Sequence, residues 1–348
     1  MPRLSHLYQD SKAGINVALL AIPQGMAYAL IAGLPLHFGL LASGVSALVG
    51  GIFGGGKFIT LGPTNATAVL LLGVFLQLKM VSTNGEVTHS ALLVLPSILV
   101  CTGIWLILAS FFRISFLIKF ISRTVITGYI TAASFLIIIN QMDTVFGLQD
   151  PLPLGTNFFE SIFFIIKAFH SFSISSLLLS IITLFFFLIL KKQFNNLPNI
   201  AISLILGSFI GQFLIFQDYK VLCLKPFSVN IFPLSGPDFS MFVIHWQVIL
   251  QSSFAIALLC LIEGLSIGKS LASRNGKRIQ SDRESFSFGI ANLSCGFFSG
   301  MPASGSLTRS SLNVNSGAKS GFSNIFTGFL VLLGYFFLGE AVQWIPVS

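Results

Sequence analysis

Two short polar segments decide the fold: GPTNAT at residues 62–67 and GMPASGS at residues 300–306. Each segment interrupts the apolar sequence around it and opens a stretch that is short for a membrane span. Interrupted segments in corresponding positions of two halves are typical of transporters whose site is formed by half-helices near the middle of the membrane. The two segments therefore predict an internal repeat with a site between them.

The composition of the chain is that of an integral membrane protein. Hydrophobic residues make up 54% of the 348 residues, charged residues only 9%, and 37 residues are Phe. A soluble protein of this size needs more polar surface than that. The apolar stretches suit helices that cross a hydrocarbon core of about 30 Å, whereas barrel strands alternate over about ten residues. We predict an all-α polytopic fold.

The apolar stretches predict eleven spans. They lie at 13–33, 36–53, 64–80, 91–112, 121–142, 173–190, 197–216, 249–272, 285–300, 304–318 and 322–343. Residues 156–171 are amphipathic and predict a helix in the plane of the membrane. Residues 218–248 contain several Pro and Gly residues and predict a loop.

The spacing of the interrupted spans predicts the repeat. The third and tenth spans, which follow the two polar segments, are seven apart. The first and eighth spans are also seven apart, and each has a polar interruption, PQG at 23–25 and EGLS at 263–266. We therefore expect a seven-plus-seven inverted repeat, with the first repeat at 13–216 and a partial second repeat at 249–343.

The distribution of basic residues predicts the orientation. Placing the N-terminus in the cytoplasm assigns most of the 19 Lys and Arg residues to cytoplasmic connections, as the positive-inside rule requires. The same bias accounts for most of the net charge of +8, which in a soluble protein would suggest nucleic acid. We expect a multi-pass protein of the inner (plasma) membrane and no nucleic-acid partner.

Arg309 is the clearest candidate for a functional residue. It follows the break at 300–306 by about one helical turn, and a guanidinium in hydrocarbon costs several kcal/mol unless it faces a cavity or a partner. Half-helix N-termini carry about half a positive charge each and offer unpaired N–H groups. Two such termini and one fixed cation predict an anion site, where Ser306 and Thr308 add hydroxyl donors. The alternative is a structural ion pair with Glu263.

Glu263 is the second ionisable residue predicted to lie inside a span. Three roles remain open for it: a proton site, a sodium ligand together with Ser266, or the counter-ion of Arg309. Gln24 follows Pro23, which has no N–H and so frees a backbone carbonyl. Its amide is therefore a candidate for the site, with helix packing as the alternative.

The sequence carries no signal of an enzyme. The four cysteines, Cys101, Cys223, Cys260 and Cys295, are not spaced as metal-binding or redox pairs. A Walker loop, a catalytic triad and paired carboxylates are all missing from the sequence. We expect no catalytic residue, no cofactor and no metal centre.

Several blocks, in order, resemble the sulfate permease (SulP) family, whose animal branch includes anion exchangers and prestin. The opening block is PQGMAYALIAGLPLHFGL at 23–40. The later blocks lie at 62–63, 263–272 and 292–319. The resemblance extends over almost the whole chain.

The resemblance implies a fourteen-span fold like that of nucleobase transporters, divided into a core domain and a gate domain, with an elevator-like movement of the core. The anion would bind between the third and tenth half-helices. Matched by motif, the residues that line this site would be Gln24, Tyr28, Ala66, Thr67, Ser306, Leu307, Thr308 and Arg309. Glu263 matches an acidic position that binds sodium in some bicarbonate-transporting members and is linked to protons in others. We therefore expect Glu263 and Ser266 at the coupling ion.

The resemblance also implies more chain than the sequence contains. Members of the family continue beyond the position of Ser348 with three further spans and usually with a cytoplasmic STAS domain. We therefore expect residues 1–348 to be an incomplete transmembrane domain that holds about eleven of the fourteen spans and no STAS domain.

These features predict secondary active transport of an inorganic oxyanion, with sulfate as the first candidate and a proton or sodium symporter as the coupling type. The alternatives are transport of bicarbonate or a dicarboxylate, an uncoupled anion channel, and a fragment without activity. Uptake of a neutral nucleobase is disfavoured by Arg309, whose charge suits an anion better. The expected partners are a small anion and the lipid bilayer, and a homodimer is left open.

Overall fold

The computed structural model describes residues 4–82, 86–114, 158–168, 172–193, 199–217 and 234–345, with isolated positions between 124 and 148 and at 223, 227 and 229. The predicted fifth span at 121–142 lies largely outside these residues. Each of the other ten predicted spans contains a helix in the described part of the chain.

The described elements form a helical protein with one very small sheet. In chain order they are α1 (Leu4–Ile31), α2 (Leu36–Phe53), β1 (Leu61–Gly62), α3 (Asn65–Gln77), α4 (His89–Phe111), α5 (Phe158–Ala168), α6 (Ile174–Gln193), α7 (Asn199–Phe216), α8 (Phe239–Arg274), α9 (Ser281–Phe297), β2 (Ser304–Gly305), α10 (Leu307–Asn315), α11 (Phe322–Ala341) and a 3-10 turn (Val342–Trp344). Among the described residues, α1, α2, α4, α6 and α8 are long and apolar enough to cross a membrane.

The chain divides into two compact units. The first consists of residues 1–126 and 230–336, and the second of residues 127–229 and 337–348. Within the second unit, α6 and α7 pack together, and Gly207 of α7 lies so close to α6 that a Cβ there would be 2.7 Å from Thr183 Oγ1. The predicted repeats at 13–216 and 249–343 are halves related by symmetry, whereas these two units are defined by contacts between residues. The bounds of the repeats remain a prediction.

Two interrupted spans are confirmed as half-helices. Helix α3 has 13 residues and α10 has nine, which at a rise of about 1.5 Å per residue is well short of a hydrocarbon core of about 30 Å. Each is preceded by one strand of a two-stranded antiparallel sheet, in which Leu61 pairs with Gly305 and Gly62 pairs with Ser304. The sheet therefore sets where both half-helices begin.

The predicted loop at 218–248 is wrong over its last ten residues, because α8 begins at Phe239. Asp238 caps this helix by accepting hydrogen bonds from Ser240 N (2.9 Å) and Met241 N (3.1 Å). Hydrogen bonds from the Ser240 hydroxyl and from the Met241 N–H lower the pKa of the Asp238 carboxyl. The backbone angles of His245 (φ −114°, ψ 18°) are not helical. They mark a kink between the first residues of α8 and its long apolar part.

Glycine contacts hold the helices of the first unit close together. Helices α1 and α2 meet at Gly25 and Gly39, where a Cβ on Gly39 would overlap Gly25 O and lie 2.6 Å from Gly25 C. Helices α4 and α9 meet at Gly103 and Gly289 in the same way, with a Cβ on Gly103 only 2.8 Å from Gly289 O. Small residues at such crossings allow backbones to approach, which is the main source of packing between helices in lipid.

Gly39→Ala is expected to destabilise the protein, because the new methyl group has to push α1 away from α2. Overpacking of this kind costs about 1–3 kcal/mol. Gly73→Ala is the matched control: Gly73 also lies in a helix, but a Cβ there meets nothing within 4 Å. Thermal unfolding in detergent should show a lower midpoint for Gly39→Ala and an unchanged or higher one for Gly73→Ala. Equal midpoints would contradict the tight crossing.

Candidate functional site

The N-terminus of α3 is closed by a reciprocal pair of threonines. Thr64 is the N-cap, and its Oγ1 accepts a hydrogen bond from Thr67 N at 3.4 Å. Thr67 Oγ1 in turn accepts from Thr64 N at 3.1 Å. This capping box satisfies two N–H groups and leaves the other first-turn N–H groups, including that of Ala66, pointing past the helix end.

The N-terminus of α10 is closed by Ser306. Its Oγ accepts from Arg309 N at 3.5 Å, and its own N–H donates to Thr60 O at 3.1 Å, next to β1. The hydroxyl groups of Ser306 and Thr308 lie 3.2 Å apart. Leu307, at the first helical position, is 45% exposed, and the N–H of a first helical residue has no partner within the helix.

Arg309 is completely buried and only partly satisfied. Its exposed fraction is 0%, and its Nη2 donates to the carbonyl oxygen of Pro63, at the entrance to α3. Among the described residues, Nε and Nη1 have no hydrogen-bond partner. A guanidinium has five N–H donors, and a buried charge without partners is costly. The residue therefore presents unused donors to any acceptor that enters between the two helix ends.

Gly62 makes room for the guanidinium. A Cβ at this position would overlap Arg309 Nη1 and lie 2.6 Å from Cζ, so the side chain of Arg309 rests against the bare backbone of β1. A similar approach occurs on the other strand, where a Cβ on Gly305 would be 2.7 Å from Gly264 Cα in α8. The absence of side chains at these two strand positions lets Arg309 and α8 reach the sheet.

Glu263 is joined to the site through the cap of α3. Its Oε2 accepts a hydrogen bond from Thr64 Oγ1 at 3.1 Å. No salt bridge connects Glu263 and Arg309 in the described structure, although each charge acts on the other at longer range. The structure also shows no hydrogen bond between Glu263 and Ser266, whose Oγ is buried without a partner among the described residues. The counter-ion, proton and sodium roles of Glu263 therefore all stay predictions.

Helix α1 forms a third side of the candidate site, next to the N-termini of α3 and α10. Gln24 Nε2 donates to Thr308 Oγ1 at 3.3 Å, which ties α1 to the first turn of α10. Gln24 Oε1 is buried and has no partner among the described residues. Tyr28, one turn further along α1, lies within range of the charges of Arg309 and Glu263.

The structure thus brings most predicted site residues around one point. Gln24, Ser306, Thr308 and Arg309 are linked by hydrogen bonds or by shared partners, and Thr67 reaches Pro302 O at 3.2 Å, across the two half-helix entrances. Ala66 and Leu307 bring helix-terminal backbone, not polar side chains. Ser266 Oγ has no hydrogen-bond partner among the described residues, so no hydrogen bond links it to the others.

Asn292 of α9 holds the entrance to β2 and was not among the predicted site residues. Its Nδ2 donates to Ala303 O at 2.9 Å, and its Oδ1 accepts from Ala303 N at 3.0 Å, so one amide satisfies both polar groups of that residue. Cys260 Sγ also donates to Ala303 O, at 3.4 Å. An Asn within a predicted span gives no signal of this partner, which lies in the following loop.

Comparison with known proteins identifies the family. The sequence profile of the Sulfate permease family matches residues 7–348. The chain belongs to the Sulfate permease family. It is 28% identical over 347 residues to sulfate transporter 4.1, chloroplastic, of Arabidopsis thaliana. The aligned residues are 97% of this chain and 49% of that relative. The chain spans about half the length of the first curated relatives that it matches.

Two solved transporter structures have the same fold. The murine solute carrier 26 family member A9 anion transporter, in its inward-facing state, matches with a TM-score of 0.86 and 22% identity, over 100% of this chain and 59% of that one. The transmembrane domain of the cyanobacterial bicarbonate transporter BicA matches with a TM-score of 0.84 and 19% identity, over 99% and 86%. The all-α, polytopic, inverted-repeat membrane fold is therefore confirmed.

Asn292→Asp is expected to destabilise the protein, because a carboxylate would face Ala303 O without a hydrogen to donate. Leaving a buried polar group unsatisfied costs about 1–3 kcal/mol, and more when it is charged. Asn275→Asp is the matched control, since Asn275 Nδ2 donates to Leu271 O at 2.8 Å but the residue is exposed. Thermal unfolding in detergent should separate the two variants. A similar small shift for both would show that the Asn292 contact is dispensable.

Proposed function

We propose that the protein is a secondary active transporter that moves an inorganic oxyanion across the membrane, with sulfate as the first candidate substrate. The observation that carries the proposal is the fully buried guanidinium of Arg309, which has unused Nε and Nη1 donors between two half-helix N-termini. The curated relatives of this family include proteins named as sulfate transporters. Their names and this geometry point to the same chemical class.

The proposed site neutralises an anion with one full charge and two partial charges. Each helix N-terminus acts as about half a positive charge, and its first N–H groups have no partner within the helix. The backbone N–H groups of Ala66, Leu307 and Thr308 are donors of this kind. The hydroxyl groups of Ser306 and Thr308 add donors that rotate to suit the anion. The set suits an oxyanion, whose oxygens accept in several directions.

The compact division of the chain supports an elevator-like movement. Arg309, both half-helices and the part of α1 that holds Gln24 belong to the first compact unit. The unit therefore holds every candidate binding residue and can carry the bound anion as one body. In this proposal the first unit corresponds to the moving core, and the seven-plus-seven repeat relates α3 to α10.

Glu263 is the proposed coupling residue. When ionised, it accepts the hydrogen bond from Thr64 that fixes the cap of α3, and it places a negative charge near Arg309. A proton or a sodium ion on Glu263 would remove that charge and strengthen the attraction for an anion. Binding of the cation and of the anion would then favour each other, which is the requirement for a symporter.

The distribution of basic residues supports an orientation with the N-terminus in the cytoplasm, because most Lys and Arg residues then lie on the cytoplasmic side. We propose the plasma membrane as the location of the protein.

Bicarbonate is the second candidate substrate. The transmembrane domain of the bicarbonate transporter BicA shares the fold of this chain, with a TM-score of 0.84. Uptake of labelled sulfate and of labelled bicarbonate by the same proteoliposomes, each with and without an imposed proton or sodium gradient, distinguishes the two. Accumulation beyond the anion's own electrochemical gradient would exclude an uncoupled channel.

Arg309→Ala is expected to reduce uptake of the transported anion about 100-fold or more in proteoliposomes, since loss of a buried charged partner costs about 3 kcal/mol. Arg278→Ala is the matched control, because Arg278 is exposed in the connection between α8 and α9. Equal amounts of folded protein must be reconstituted for each variant. Undiminished uptake by Arg309→Ala would refute the site.

A further inference from the structure

A buried polar network lies behind the candidate site, at the start of α11. Asn324 is its centre: Nδ2 donates to Ile59 O at 2.8 Å, and Oδ1 accepts from Thr60 Oγ1 at 2.7 Å. Asn313 of α10 donates from Nδ2 to Asn324 Oδ1 at 3.3 Å and to Lys57 O at 3.1 Å. Asn324, Thr60 and Asn313 are almost completely buried, so water contributes little to their hydrogen bonding.

Thr60 connects this network to the site. Its N–H donates to Ser310 Oγ at 2.9 Å, and its carbonyl accepts from Ser306 N at 3.1 Å. All three polar groups of Thr60 are therefore bonded: the N–H and the carbonyl to α10 and its cap, and the hydroxyl to Asn324. Thr60 immediately precedes β1, which leads into the cap of α3, and Ser306 is the cap of α10. The relative position of the two caps depends on how Thr60 is held.

We propose that Asn324 is a positioning residue for the anion site: through Thr60 it sets the spacing between the N-termini of α3 and α10 without touching the anion. The proposal rests on the proposed function of that site. It follows from the small size of the sheet, because two paired residues on each strand provide few hydrogen bonds to fix the crossing. The amide of Asn324 donates to Ile59 O and accepts from Thr60 Oγ1 at the same time, from two different atoms.

Two substitutions separate the hydrogen bonds of the network. Asn324→Asp keeps the acceptor for Thr60 and loses the donor to Ile59 O. Thr60→Val removes only the hydroxyl, since its backbone bonds to Ser306 and Ser310 remain. The matched control is Asn16→Asp, because Asn16 Nδ2 donates to Ser316 Oγ at 3.1 Å and joins α1 to the far end of α10.

The first measurement is the concentration dependence of sulfate uptake in proteoliposomes. Misplaced N–H donors weaken anion binding, so Asn324→Asp and Thr60→Val should each raise KM about tenfold, with a smaller change in kcat. Asn16→Asp should leave KM within about twofold of the unmodified protein. The double variant should raise KM no more than the more severe single variant, because both substitutions break the same connection.

The second measurement is amide hydrogen exchange in detergent, without added anion. Exchange should become faster in peptides that cover residues 59–67 and 303–310 in both network variants, and it should stay unchanged in α4. Unchanged KM and exchange in the folded variants would overturn the proposal, and so would faster exchange throughout the protein. If Asn324→Asp does not fold, Thr60→Val decides on the same criteria. Intact uptake by Arg309→Ala would refute the proposed function instead, while exchange still reports on the spacing.

Discussion

The antiparallel pairing of Leu61–Gly62 with Ser304–Gly305 is the constraint on which the rest of the structure depends. Each strand runs directly into a half-helix, so the pairing brings two helix N-termini from distant parts of the chain to one place. The sheet is too small to be stable alone. Asn292 holds the residue before β2, Thr60 bonds to the cap of α10, and Gly264 packs on β2 from α8. The interaction partners of the strands are thus supplied by three different helices, α8, α9 and α10.

The burial of Arg309 is energetically unfavourable, and this indicates a functional role. The chain buries a cation fully but gives it one backbone carbonyl, that of Pro63, as a hydrogen-bond acceptor among the described residues. Burial of a charge this incompletely bonded opposes folding. It persists because α1, α2, α4 and α9 pack closely through glycine contacts that do not involve the site. A site that departs from the rules of stability in this way is typical of a functional residue.

The sequence predicts those parts of the site that consist of residues unfavourable within a membrane span. Arg309 and Glu263 stand out because charges are rare in apolar spans, and the half-helices stand out because Gly and Pro interrupt their entrances. Asn292 and Asn324 were not predicted, because an Asn in a helix is equally consistent with packing. Their partners lie 11 and 265 residues away along the chain. The start of α8 was missed because Gly236 and Pro237 suggested a loop, whereas Asp238 begins a helix directly after them.

The backbone contact between Gly264 and Gly305 limits how this protein can vary. A side chain at residue 305 would have no room towards α8, since a Cβ there would be 2.7 Å from Gly264 Cα. The close approach of α8 to β2 is therefore kept only as long as both positions remain glycine. Variation in the size of the candidate site must then come from its other sides, where Gln24, Tyr28, Leu307 and Thr308 carry side chains that substitution can lengthen or shorten.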